Sequence, residues 1–320
     1  MKSSSKVFGS GRGALLAGLL ASALLASCGG GEQVESFTAT RVIAFGDESS
    51  VINADGSKYT VNALLSGSST AFDCAANPIW IQTVAAAYGL VFPQCQGTTP
   101  DPVSRIYATA GATVGDISGQ IDQQLNLGGG FVAGDLVTVF AGANDIVAQF
   151  QQYPAVGEDQ LAANLTVAAA ALADQVNRLA GFGAKVLIVT VPDMGLTPFA
   201  GDRSVGSTDG NPPLLTRLST KFNDALLSNL LNDGHKIGLV QLDQYLKSVD
   251  TAAISGASGA PFSNTTQAAC TVALPNCSTN TLLSDAVGAT WLWADNRHLG
   301  AGGQASLGSL AQSRAQNNPF

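Results

Sequence analysis

Four short blocks of this chain carry residue types that can move protons or hold a developing charge. They are Gly46-Asp47-Glu48-Ser49-Ser50, the run Tyr107 to Thr113 (YATAGAT), Gly142-Ala143-Asn144-Asp145, and Asp295-Asn296-Arg297-His298. Each is weak alone. An Asn after a strand is ordinarily turn chemistry, and an isolated Asp-x-x-His is ordinarily a solvated surface pair. The apolar run Val42-Ile43-Ala44-Phe45 ahead of the first block reads as a strand buried on both faces of a parallel sheet. Gly46 and Asp47 end it in a turn, and a rigid strand ending this way can present a nucleophile to a crevice. The chain has two histidines. His235, in Asp233-Gly234-His235-Lys236, reads as a helix-end residue in a favourable dipole.

Alternating strands and helices must position these blocks. Asn77-Pro78 is expected to cap a helix with Trp80, Val84 and Tyr88 on one face, ended by Gly89. Arg105 to Ala108 is a short second strand, and Leu136 to Ala141 a strong third. A helix from about Asp159 to Ala180 follows, with Leu161, Leu165, Leu172, Val176 and Leu179 at helical spacing and Gly181 and Gly183 as stops. Val186 to Val191 is the fourth strand and Ile237 to Leu242 the fifth. Between them Pro212 and Pro213 open a helix that carries Leu215, Leu218, Phe222, Leu226 and Leu230 and ends near Gly234. Such repeats imply an α/β domain, a five-stranded parallel sheet with helices on both faces. Asp250 to Ser284 reads as a Gly/Ser-rich loop excursion.

Taken in order, the four blocks resemble the SGNH, or GDSL, hydrolase family of esterases and lipases. The resemblance runs from about Arg41 to His298 and includes Gly183-Ala184-Lys185 leading into VLIVTVPDMGLTP, Phe222-Asn223, and SNTTQAAC. It implies a flavodoxin-like three-layer sandwich and hydrolysis of small acyl esters through an acyl-enzyme, without a cofactor. By position His298 would be the general base and Asp295 would orient its imidazole. The Gly111 backbone N–H and the Asn144 amide would donate to the oxyanion, with Asp47 and Glu48 lining the site. Three positions depart from the pattern: Leu299 stands where a proline often follows, Ile106 where an Asn usually opens the second block, and Glu48 where the family has serine. The reading adopted is a turn longer by one residue, with Ser49 as nucleophile and Ser50 capping. Ser50 and the Glu48 carboxylate are the other candidates. A second function also follows from Glu48, that of an inactive scaffold that binds an acylated or carbohydrate ligand.

The first residues read as an address. Lys2, Lys6 and Arg12 precede the apolar run Ala14 to Ala26, too short for a spanning helix, and Leu25-Ala26-Ser27-Cys28 resembles a bacterial lipobox. The expected organisation is a signal peptide over 1–27, a flexible tether over 28–38 beginning at a lipidated Cys28, and a hydrolase domain over 39–320. The product would be exported and held in the cell envelope by its lipid. The full chain has 15 Lys+Arg and 23 Asp+Glu; without Lys2, Lys6 and Arg12 its net charge moves from −8 to −11. That balance argues against nucleic acid as a partner, and a monomer is expected. Cys74, Cys95, Cys270 and Cys277 remain, an even number suited to disulfides in an exported chain. The nearest pairings are Cys74 with Cys95 and Cys270 with Cys277. With no CxxC pair and two histidines, no metal site is expected.

Overall fold

The computed structural model describes residues 37–201 and 211–320. The expected signal peptide, most of the tether, and Cys28 lie outside the described residues. The strands are β1 (Arg41–Gly46), the short antiparallel pair β2 (Ala63–Leu64) and β3 (Phe72–Asp73), β4 (Arg105–Ile106), β5 (Asp135–Phe140), β6 (Lys185–Val189), β7 (Ile237–Val240), β8 (Asn264–Ala268) and β9 (Trp291–Trp293). The helices of a full turn or more that matter for the site are α1 (Trp80–Ala86), α2 (Val114–Leu127), α3 (Ala143–Phe150), α4 (Glu158–Gly181), α5 (Pro212–Asn229), α6 (Leu242–Ile254) and α7 (Ala301–Asn317). The central sheet has the order β4-β1-β5-β6-β7, and its strands pair in parallel.

Alternate residues of β1 explain why the strand is continuous in apolar character. Ile43 and Phe45 pack with Val137, Val139, Ile117, Leu172 and Phe222 on one face. Val42 and Ala44 pack with Leu136, Trp80, Val84 and Leu307 on the other. A strand covered on both sides has no solvent face to mark with polar residues. Each fully buried Ile, Leu or Phe here contributes about 1.5–3 kcal/mol by removal from water. At the entry to the sheet Arg41 and Asp135 sit in register. They form a two-pronged pair, Arg41 Nε to Asp135 Oδ1 at 2.8 Å and Arg41 Nη2 to Oδ2 at 2.6 Å.

The chain passes from β1 to β4 on one side, then crosses to β5 on the other. The strand order therefore reverses beside β1, and the loops after β1 and β5 open a crevice at the carboxyl end of the sheet. All the residue blocks singled out above lie at this end.

The expected strands and helices are present with shifted bounds. Helix α1 begins at Trp80, where the Gln82 side chain accepts from the Ile79 N–H at 2.9 Å; Asn77 instead donates to the Val61 carbonyl at 3.0 Å. Asn211 caps α5 ahead of its two prolines, and the helix ends at Asn229 rather than near Gly234. The segment read as a loop excursion from Asp250 holds the end of α6 and the strand β8. Strand β8 pairs in parallel with β9 in a separate two-stranded sheet. Its polar composition hid β8, because only Thr265 of its five residues is buried and the adjacent Thr266 and Gln267 are both exposed. Both disulfides join the expected partners, with Cα–Cα distances of 5.6 Å for Cys74–Cys95 and 5.8 Å for Cys270–Cys277. Each restricts the unfolded chain by roughly 2–4 kcal/mol in the loop-entropy account.

Candidate active site

The turn after β1 depends on a backbone that only glycine adopts readily. Gly46 has φ +134°, and a Cβ built on it would lie 2.0 Å from the Phe140 carbonyl oxygen. Phe140 is its register partner on β5, and its carbonyl accepts from the Asp47 N–H at 3.0 Å. The Gln120 side chain, from α2, clamps both backbone polar groups of Gly46. Its Oε1 accepts from the Gly46 N–H at 2.8 Å and its Nε2 donates to the Gly46 carbonyl at 2.9 Å. Replacing Gly46→Ala is expected to cost about 3 kcal/mol or more, since both the conformation and the space exclude a methyl group. A denaturant midpoint unchanged in that variant would show that the strand end can relax.

Asp47 then opens a single helical turn, Glu48–Ser50, by accepting from the Ser49 N–H on Oδ1 at 2.9 Å. The turn closes through Ser50 N–H to Asp47 O at 3.1 Å and Val51 N–H to Glu48 O at 3.2 Å. No extra residue is accommodated, so Glu48 takes the position that points into the crevice. This corrects the expectation that Glu48 swings aside for Ser49. Ser49 is half-buried at the crevice rim, and its hydroxyl makes no hydrogen bond among the described residues. Ser50 is buried under the sheet end, where its hydroxyl accepts from Trp80 Nε1 at 3.2 Å. The cap is Asp47, not Ser50.

Glu48 is held at three points. Its Oε1 faces His298 Nε2 at 2.8 Å. Its Oε2 accepts from the Gly111 N–H at 2.8 Å and from Asn144 Nδ2 at 3.0 Å. Gly111 lies in the turn after β4, and Asn144 in the first turn of α3. That helix starts directly after β5, and Asn144 Nδ2 also donates to the Ala112 carbonyl at 3.0 Å. Behind His298, Nδ1 faces Asp295 Oδ2 at 2.7 Å. Asp295 Oδ1 meanwhile accepts from the backbone of Arg297 at 2.9 Å and of His298 at 2.7 Å, which curls the loop after β9. The loop is closed by Ala294 N–H to His298 O at 2.8 Å and is followed by the pairing of Trp293 with Leu299.

Five of the expected residues, Glu48, Gly111, Asn144, Asp295 and His298, thus meet around one carboxylate. Asp47 braces them, and Ser49 does not join them. The crevice beside them, lined in part by Glu48, Asn144 and His298, is small, about 20 Å³, with Phe140, Pro192, Leu242 and Leu299 as its apolar lining and Arg297 also on its wall. A larger groove of about 550 Å³, between α1, Leu90–Phe92 and Gln312, carries no charged side chain.

Charge is shared across this cluster. Burial works against a charge on His298, yet the hydrogen bonds and charges of Asp295 and Glu48 outweigh it and raise the imidazole to about 9. Burial likewise works against the Glu48 carboxylate, but His298 and the donors on its oxygens bring it down to about 2. Asp295 is lowered, burial being overcome by its bonds to His298 and the loop backbone. Asp47, buried beside the Glu48 charge, is pushed up to about 7. The directions of these shifts favour an imidazolium held between two carboxylates.

Sequence reasoning missed Gln120 and left Asn223 without a role. Asn223, on α5, clamps the Val191 peptide as Gln120 clamps Gly46, with bonds of 3.0 and 2.8 Å. Gln120 has a readable signal. It is one of two buried amides, with Gln124, on the otherwise apolar face formed by Val114, Ile117 and Ile121.

The model of GDSL-like lipases and acylhydrolases matches residues 42–310. Among solved structures, a lipase from a goat rumen metagenome superposes with TM-score 0.51 at 10% identity, over 88% of this chain and 99% of that one. A catalytic mutant of an acetylxylan esterase from Geobacillus stearothermophilus reaches 0.47 at 13% identity, over 88% and 97%. An acetyl xylan esterase, AlAXEase, reaches 0.45 at 13%, over 85% and 98%. No match is found among curated proteins. The rumen lipase shares the α/β fold, the family model spans most of the chain, and the conclusion is that this chain belongs to the GDSL-like lipase/acylhydrolase family, a family of ester hydrolases.

Proposed function

We propose that this ester hydrolase acts on small esters at the crevice after β1 and β5, with the Glu48 carboxylate in the place of a serine hydroxyl. The observation that carries this reading is the three-point hold on Glu48 by His298, Gly111 and Asn144, with Asp295 behind the imidazole. A base, its orienting acid and two converging donors form a hydrolytic apparatus. A surface pair would not need all four. The test is acid release from ethyl acetate and ethyl butyrate in a pH-stat. Glu48→Gln and His298→Gln are each expected to reduce it by about 100-fold or more.

One observation favours a second reading. Oε2 already occupies both donors, so a substrate carbonyl cannot enter that position while Glu48 stays. On this reading the chain is a scaffold that binds an acylated or carbohydrate ligand without turning it over. No acid release from either ester, together with saturable binding of acetylated xylo-oligosaccharide, is the result that would favour it.

Export and lipid anchoring belong to the same proposal and rest on the basic start, the apolar run and Leu25-Ala26-Ser27-Cys28. Two acyl signals at Cys28 would supply the membrane affinity that a surface of net charge −11 does not. Cys28→Ala is expected to accumulate unprocessed or to leave the membrane fraction. Processing and partition identical to the parent would exclude the anchor.

A further inference from the structure

Resting on the ester-hydrolase reading, we infer that Glu48 attacks the alkyl carbon of its substrate rather than the acyl carbon. Substrates are then short primary alkyl groups bonded to an anionic leaving group, such as alkyl carboxylates, sulfonates or halides. Two geometric facts carry this. First, the two oxygens of Glu48 have different surroundings. Oε1 lies on His298 Nε2, and Oε2 is fixed by two donors, the Gly111 N–H and Asn144 Nδ2. Attack on an acyl carbon needs donors for the substrate's own oxygen, and those donors are taken. Attack on a saturated carbon creates no oxyanion and needs none. Second, the crevice is small, about 20 Å³, and beside its polar lining of Asp47, Ser49, Asn144 and Arg297 it offers an apolar patch of Pro192, Leu242 and Leu299. A methyl or ethyl carbon fits that space.

The chemistry balances in two steps. In the first, Glu48 Oε1 displaces the leaving group from the alkyl carbon. The C–O bond to Oε1 forms, the bond to the leaving group breaks, and its electron pair departs with the leaving anion beside Arg297. The product is an alkyl ester of Glu48. Alkylation removes one of the two carboxylate charges that keep His298 protonated. The imidazole then releases its Nε2 proton to solvent and becomes a base where a water can enter. In the second step that water attacks Glu48 Cδ while Nε2 takes its proton. The new oxyanion is Oε2 itself, already seated on Gly111 and Asn144. Collapse breaks the Cδ–Oε1 bond, His298 protonates the departing alcohol, and the water oxygen stays on the glutamate. The site's otherwise blocking contact thus becomes the oxyanion hole of the second step.

Isotope placement tests it with the full chain. Ethyl acetate is turned over in H₂¹⁸O, and the label is read by mass spectrometry in acetate, in ethanol and in the peptide carrying Glu48. The expected result is label in Glu48 after one turnover and in ethanol thereafter, with none in acetate. Label in acetate alone would overturn the inference and leave the ester-hydrolase reading standing. A second arm uses ethyl tosylate, whose leaving group is better. In His298→Gln the second step stalls, and a +28 Da adduct on Glu48 is expected to accumulate at least tenfold over the parent. Adduct at Glu48 without ethyl acetate turnover supports the alkyl chemistry and confines it to stronger leaving groups. Neither acid release nor Glu48 ethylation in the parent or the variant overturns both readings together.

Discussion

Glu48→Ser is expected to turn this chain into a conventional serine esterase, with p-nitrophenyl acetate hydrolysis at least about 100-fold above the parent. Three things change at once. The shorter side chain vacates the position in front of the Gly111 N–H and Asn144 Nδ2, which then meet a substrate oxygen. Each such donor is worth about 10²–10³ in rate. A hydroxyl directly after Asp47 also matches the order Gly-Asp-Ser of the family's first block, in a turn that the Asp47 cap holds in place. Finally, loss of the Glu48 charge leaves Asp295 as the one carboxylate on His298, so the imidazole can accept a proton near neutral pH. A fluorophosphonate probe should label the introduced serine and leave Ser49 and Ser50 untouched. Turnover that is unchanged in Glu48→Ser but abolished in Ser49→Ala would instead restore the shifted-turn mechanism that the structure argues against.

His298 is expected to keep its ring proton up to about pH 9 and to make the fold measurably less stable above neutrality. The sign follows from linkage. A group whose folded pKa lies above its unfolded value of 6.5 stabilises fully below 6.5, and that stabilisation is lost as pH rises through about 9. A displacement of this size corresponds to about 3 kcal/mol for a mostly buried imidazole. Glu48 works in the other direction, its contribution being lost as pH falls from 4.5 through about 2. The two share one ion pair, so their contributions are not added. NMR titration of the two histidines, assigned with His298→Gln, reads the first value directly. Glu48→Gln should bring the His298 titration down by a unit or more and flatten the fall in denaturant midpoint between pH 6.5 and 9. A parent His298 that loses its proton below pH 7 would show that the two carboxylates do not hold it as a pair.

The central layer of the molecule was legible in the residues because burial on both faces leaves a plain signature. Runs such as Val42–Phe45 and Val186–Val189 have no exposed side to interrupt them. Long helices with one apolar stripe, Glu158–Gly181 and Pro212–Asn229, were legible for the same reason. Short or small-residue elements were not. Helix α7 packs through Ala301, Gly303, Gly308, Ala311 and Ala315, and this face barely stands out from the rest of the helix in hydrophobicity. At the site, the four blocks were visible in the residues, and the family resemblance they carry singled out Gly111, Asn144, Asp295 and His298, which the structure brings together. That a glutamate rather than a serine stands after Asp47 was equally plain. Which of Glu48, Ser49 and Ser50 faces the imidazole was decided only in three dimensions. One helical turn capped by Asp47 and pinned by Gln120 through Gly46 leaves no slack to bring the next residue forward. Three hydrogen bonds from His298, Gly111 and Asn144, parts of the chain 63 to 250 residues away, then hold the carboxylate in place. No local pattern encodes that convergence, because it depends on the strand order that brings the ends of β1, β4 and β5 together.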